Sequence, residues 1–392
     1  MNIMMTISNM NYVLLTLILA AYLIGADAFA AAASPSKKIV VTGASGYLGR
    51  EIVNTYLNTA TEEGAAPEIF CLVRESRVVE ETSYWGSKSS DVKVMPYDML
   101  DGGISIEKTL ECIFGDNKND ISDDDGVDVE CCIIHVASVF SLCDDHEAMA
   151  HNNVKGAKDL MDVVAKLNDR QKDRTRVILT SSMAAVRAGG QIPLNGKYYT
   201  HDDWNDESQL GASWGASYQW SKAASEKAAW GIAKETGIKF TSLNPAFIFG
   251  PPSNPQTSGS FSIETVSKWI KGESPVQSRL CVDVRDVARA HVIASQTDKT
   301  VNERIIISRE ARIPSQAIAE ELKQLAIEMG IGEPDKIHPD TEFDGGLIKI
   351  GDREVGCDDR MADMLGGGFT CRPVEVTMRD MAQVLLGTGK KV

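Results

Sequence analysis

The sequence predicts an α/β protein, a parallel sheet with helices on both faces and a smaller C-terminal lobe. Three observations predict it. From Lys38 onward, short β-branched runs alternate with longer amphipathic segments. A glycine-rich turn follows the first run directly, and further polar motifs fall at the carboxyl ends of later runs, where such sheets hold ligands.

The runs at 39–41, 69–73, 92–95, 129–136, 177–180 and 240–243 read as strands. Segments 48–57, 151–167 and 218–236 carry apolar residues at helical spacing with few breakers, and 315–329 reads as a further helix. After Asn244-Pro245 a Pro- and Gly-rich stretch, 250–259, marks the exit into the smaller lobe. Segment 282–294 reads as a return to the main sheet. The expected organisation is a leader over 1–28, a linker or residual targeting segment over 29–37, a main domain over 38–250, and a substrate lobe over 251–392 with 282–297 returning to the main domain.

The chain has 392 residues, 43% of them hydrophobic and 24% charged, enough for a sizeable core. A net charge of −15 opposes binding to nucleic acid, which relies on clustered Lys and Arg. The acidic run 116–130 reads as a solvated loop, because Ile121 stands where a calcium loop ending its turn at Gly126 needs its first carboxylate. Eight cysteines form no CxxC pair, so neither a metal site nor a disulfide framework is expected. Adjacent Cys131 and Cys132 should point to opposite faces of a strand.

Segment 13–25 is almost uninterrupted apolar sequence, short for a membrane span and suited to a signal-peptide core. Ala26-Asp27-Ala28 then offers small residues for cleavage. The first Lys is Lys37, so the basic start of a signal is missing and an uncleaved anchor is the alternative. Phe29-Ala30 resembles the junction of presequences in algae with secondary plastids. The expectation is secretory entry, with a plastid favoured over the lumen or secretion and no stable membrane span after cleavage.

The turn Gly43, Ala44, Ser45, Gly46, Tyr47, Leu48 and Gly49 lies between a strand and a helix. Glycines there remove Cβ atoms that would keep the backbone from a pyrophosphate, and the helix offers free N–H groups and the positive end of its dipole. This points to a Rossmann-type, doubly wound sheet. The second strand ends at Arg74, where an NAD enzyme would place a carboxylate for the ribose hydroxyls, so NADP is expected. Arg77 would assist and Glu75 would offset it. Asp98, past the third strand, is a candidate acceptor for the adenine amino group or a turn former.

Further along, a strand ends in Thr180-Ser181-Ser182, and Tyr218 and Lys222 stand four apart on a helix, hence on one face. At that spacing an ammonium would lower a phenol pKa from about 10. Trp204 and Trp214, between the two motifs, would wall a pocket or pack a loop. His135 at a strand end reads as structural.

These motifs, with His135-Val-Ala-Ser138, Asn153-Val-Lys-Gly156, Asn244-Pro245 and Val282-Asp283-Val284, resemble the extended short-chain dehydrogenases, in that family's order over 38–297. Leu72-Val73-Arg74, Thr180-Ser-Ser182 and the segment 244–251 are most similar to the dihydroflavonol reductase and cinnamoyl-CoA reductase branch. The resemblance implies that NADPH reduces a small-molecule carbonyl. Tyr218 would protonate the carbonyl oxygen, Lys222 would hold the nicotinamide ribose and tune Tyr218, and Ser182 would fix the carbonyl. Ala137 and Pro245 would lie against the cofactor, and a homodimer is one assembly open to the chain. The rivals are a nucleotide-sugar epimerase or dehydratase, opposed by Ser181-Ser182 where a dehydratase carries Asp-Glu; a hydroxysteroid dehydrogenase; and a silent dinucleotide-binding protein, opposed by an intact Ser182, Tyr218 and Lys222.

Overall fold

The computed structural model describes residues 36–63, 67–115, 129–140, 142–254, 260–330, 333–341 and 360–385. The expected leader, most of the acidic run and part of the 250–259 exit lie outside them.

The central sheet has seven strands: β1 (Ser36–Thr42), β2 (Glu68–Val73), β3 (Val92–Pro96), β4 (Val129–His135), β5 (Thr175–Thr180), β6 (Lys239–Pro245) and β9 (Arg304–Ile307). Their order is β3-β2-β1-β4-β5-β6-β9, a parallel sheet of the Rossmann type, as the sequence predicts. Two further short strands, β7 (Phe247–Phe249) and β8 (Cys281–Asp283), pair in parallel in a small sheet of their own.

Alternation along each strand sorts side chains onto two buried faces. Ile39, Val41, Ile69, Cys71, Cys132 and Ile134 enter a core shared with the helices Tyr47–Glu63 and Val284–Gln296. Val40, Phe70, Leu72, Cys131 and Ile133 enter the opposite core, beneath the helices Ile104–Phe114, His146–Ala165 and Trp214–Thr236. Cys131 and Cys132 thus do face opposite ways, each as a buried small apolar group. With both faces covered, the strands read as continuous apolar runs, and each fully buried Val, Leu, Ile or Phe contributes about 1.5–3 kcal/mol. A third core, built on Phe249, Trp269, Leu322 and Met381, belongs to the smaller lobe.

The return from the smaller lobe begins in the small sheet and continues as a helix. Segment 281–283 forms β8 in the small sheet, and Val284–Gln296 comes back as a helix against the main sheet. The strand that joins the sheet is β9, which the sequence reading missed: its four residues open on an arginine, and a buried arginine does not look like a strand position.

Winding reverses between β1 and β4, so the ends of these neighbouring strands open the crevice that holds ligands in such sheets. Thr42 ties the two ends together. Its Oγ1 lies 2.9 Å from His135 Nδ1 and accepts from the Val136 and Ala137 amides, each at 3.1 Å. Burial, with Lys222 nearby, lowers the His135 pKa to about 3, so the ring is neutral and structural.

Among the described residues no helix is long and apolar enough to cross a membrane.

Candidate active site

One cavity of about 1380 Å³ runs along the carboxyl ends of the strands, and every residue that the sequence singles out for cofactor or catalysis lines it. At one end is the glycine turn. Gly43 has φ +68°, a left-handed conformation that favours glycine, and a side chain there would press on the Ala137 backbone at 3.1 Å. At Gly49 a Cβ would fall 2.3 Å from the Gly43 carbonyl oxygen, so only glycine lets the helix start this close to the turn. Ser45, Gly46, Tyr47 and Leu48 share this wall, and the Tyr47 hydroxyl donates to the Gly250 carbonyl at 2.7 Å.

Arg74 is exposed at the end of β2 and, among the described residues, its guanidinium has no hydrogen-bond or ion-pair partner. Arg77 is different. It pairs with Glu80 at 3.1 Å and Glu81 at 3.5 Å on the helix it precedes, so its charge is already engaged. Asp98 Oδ1 accepts the Leu100 amide at 2.9 Å, which makes it a turn former, while it also lines the cavity.

At the other end, Ser182 caps the short helix Met183–Val186, its Oγ accepting the Ala184 amide at 3.1 Å. Tyr218 lies one turn inside the helix Trp214–Thr236, which starts at its Ser213 cap rather than at Tyr218. Burial raises the Tyr218 pKa, and a hydrogen bond with Ser182 opposes that only in part. Lys222 therefore does not pull the phenol down in this state; its Nζ sits 5.8 Å from the Tyr218 ring centroid. Burial pushes the Lys222 pKa down to about 8 against the pull of Glu226. Its ammonium donates to Ser138 Oγ at 3.3 Å and the Thr180 carbonyl at 3.4 Å. Asn153 holds the Val139 backbone from both sides, accepting its amide at 2.7 Å and donating to its carbonyl at 3.1 Å, which fixes the 138–140 wall.

Trp214 does line the cavity, stacked at 5.8 Å and 8° on Tyr218, with Phe140 packed against both and Phe261 against Trp214 and Phe140. Trp204 lies elsewhere, its ring under the Arg304 guanidinium at 3.8 Å.

Sequence reasoning missed the support behind Ser182 and Lys222. Glu226 is fully buried, one turn past Lys222, and accepts from Ser181 at 2.6 Å, Asn244 at 2.7 Å, Ser242 at 2.8 Å and Arg304 Nε at 2.6 Å. Asn244 also donates to the Ser182 carbonyl at 3.2 Å. The i, i+4 step from Lys222 to Glu226 was the available signal.

Residues 41–278 match the NAD_binding_4 family model, described as "Male sterility protein". The chain belongs to this family. The extended short-chain dehydrogenase/reductase resemblance, including its reductase branch, is thereby borne out. Cinnamoyl-CoA reductase 1 of Arabidopsis thaliana is 29% identical over 71% of this chain and 73% of its own length. Tetraketide alpha-pyrone reductase 2 of the same plant is 28% identical over 69% and 77%. Among solved structures, yeast methylglyoxal/isovaleraldehyde reductase Gre2 complexed with NADPH matches with a TM-score of 0.71 at 23% identity, over 90% of this chain and 98% of that one.

Proposed function

We propose that this chain is an NADPH-dependent oxidoreductase that reduces a small-molecule carbonyl of the ketone, aldehyde or acyl-thioester class to an alcohol. The observation that carries the reading is the single cavity that joins the glycine turn and Arg74 at one end to Ser182, Tyr218 and Lys222 at the other.

The residues fit the cofactor. Side-chain-free Gly43 and Gly46 leave backbone open to a pyrophosphate, and Arg74 offers an uncommitted guanidinium where a 2′-phosphate would take two charge-assisted hydrogen bonds. When bound, NADPH supplies the hydride. Tyr218 supplies the proton: burial keeps its phenol protonated well above neutral pH, which suits an acid that protonates a carbonyl oxygen. Ser182, hydrogen-bonded to Tyr218, orients the phenol and the carbonyl. Lys222, still largely cationic at neutral pH, would anchor the nicotinamide ribose and restore the proton to Tyr218. Ser181 is committed to Glu226, so of the Ser181-Ser182 pair only Ser182 reaches Tyr218, short of the two acid/base groups of a dehydratase.

Tyr218→Phe removes only the transferable proton. Turnover of an accepted carbonyl should fall about 10²- to 10⁴-fold while NADPH binding, read by its fluorescence, stays near wild type. Near-wild-type kcat in that variant would rule Tyr218 out as the donor.

A further inference from the structure

Charge is unevenly distributed along the cavity wall. Its acidic residues, Glu75, Asp98 and Asp101, all belong to the segments after β2 and β3. From Val136 onward the described wall carries Arg187, Lys222, Arg279 and Arg312 and no carboxylate. In a chain of net charge −15, three arginines around the catalytic end require an explanation.

The three reach the wall from separate parts of the chain. Arg187 follows directly on the short helix that Ser182 caps. Arg279 precedes Leu280, whose carbonyl accepts the Phe247 amide at 3.0 Å just beyond Pro245. The backbone of Arg279 bridges antiparallel to Ile313, through hydrogen bonds of 3.1 and 2.8 Å, which brings Arg312 beside it. Two guanidiniums then converge on one neutral acceptor: Arg279 Nη1 lies 3.2 Å and Arg312 Nη1 3.3 Å from the Ser278 carbonyl oxygen. Arg279 Nε is buried with no hydrogen-bond partner, and the group packs over Phe247 at 5.1 Å, which holds it in place.

For Arg279 this position is costly by itself. Burial and the like charges of Arg312 and Arg187 push the Arg279 pKa down to about 10, with Asp340 opposing. A bound anion would relieve it, because a guanidinium forms paired, charge-assisted hydrogen bonds with planar or tetrahedral oxyanions.

We propose that the carbonyl substrate carries an anionic group, a carboxylate or a phosphate ester, that docks on Arg187, Arg279 and Arg312. The inference rests on the reductase reading and narrows its substrate class. Neutral carbonyls would fill the same space without engaging the arginines, so the acid and ester of one aldehyde should be told apart.

The experiment uses the full chain with NADPH and compares kcat/KM for 4-carboxybenzaldehyde and its methyl ester. Wild type should prefer the acid at least about tenfold, about 1.4 kcal/mol. Arg279→Gln and, separately, Arg312→Gln should each lower that preference about tenfold, and Arg279→Lys should retain part of it. Equal use of acid and ester by wild type overturns the inference and leaves the reductase reading standing. If neither aldehyde is reduced, benzaldehydes are not substrates, and the anion site is judged by calorimetric titration with benzoate and with phenyl phosphate. At least tenfold weaker binding in both Gln variants supports the site, and the tighter of the two probes names the anion. Undiminished binding in the variants, or none in wild type, overturns it.

Discussion

Two buried Arg–Glu pairs stand at opposite ends of the sheet, and they are built differently. Near the nucleotide end, Arg50 pairs with Glu81, both essentially inaccessible. Arg50 Nε and Nη1 and Glu81 Oε2 have no hydrogen-bond partner there, although the guanidinium lies 4.3 Å from the Tyr84 ring centroid. Behind Ser182 and Lys222, Arg304 pairs with Glu226, and both groups are saturated. Arg304 donates from Nε and Nη2 to Glu226, from Nη1 to the carbonyls of His201 and Asp203, and from Nη2 to that of Ala185. Removing charge from water is repaid only where the remaining donors and acceptors are also paired. The Arg304–Glu226 pair meets that condition and the Arg50–Glu81 pair does not. The better-satisfied pair lies where Ser181, Ser182 and Asn244 must keep one geometry.

The largest expected effect follows from that contrast. Glu226→Ala strands a buried guanidinium and frees Ser181, Ser242 and Asn244 at once, so it should cost about 3–5 kcal/mol in urea unfolding. A loss below about 1 kcal/mol would mean that the network is ornamental to stability.

Arg50→Met should cost less, about 1–3 kcal/mol in the same assay. Glu81 keeps Arg77 at 3.5 Å, and the methionine retains apolar contact with Tyr84, so no buried charge is left entirely alone. If Arg50→Met proved the more damaging of the two, the number of satisfied hydrogen bonds would not be what ranks these pairs.

What the sequence revealed divides along the same line. Inner strands such as β2 are legible because both faces of a parallel sheet are buried, which leaves an uninterrupted apolar run over Ile69–Val73. The glycine turn and the Tyr218–Lys222 pair are legible because local geometry dictates both: a left-handed turn in one case, the helical repeat in the other. β9 is not, since Arg304 looks like a solvent-facing residue until Glu226, 78 positions earlier, is placed beside it. Trp204 was ambiguous for the same reason, its partner Arg304 being distant in sequence. The three arginines of the cavity wall were equally hidden, since Arg187, Arg279 and Arg312 come together only through the bridge between Arg279 and Ile313 and the packing around the cavity. Local periodicity records which face is buried; it carries no trace of which distant charge will be met there.

The smallest expected effect tests the nucleotide end where it faces solvent instead of the core. Arg74 is exposed and, among the described residues, has no side-chain partner, so Arg74→Asp should shift unfolding by no more than about 0.5 kcal/mol. Its effect should appear in cofactor choice. The arginine offers a 2′-phosphate two parallel hydrogen bonds, whereas an aspartate would repel the phosphate and accept ribose hydroxyls. Arg77 is poorly placed to compensate, because Glu80 and Glu81 already hold it. The ratio of kcat/KM for NADPH over NADH should therefore fall at least about tenfold, about 1.4 kcal/mol. A variant that unfolds more easily but keeps its cofactor ratio would show that Arg74 supports the fold, and the two ends would then differ less than their buried pairs imply.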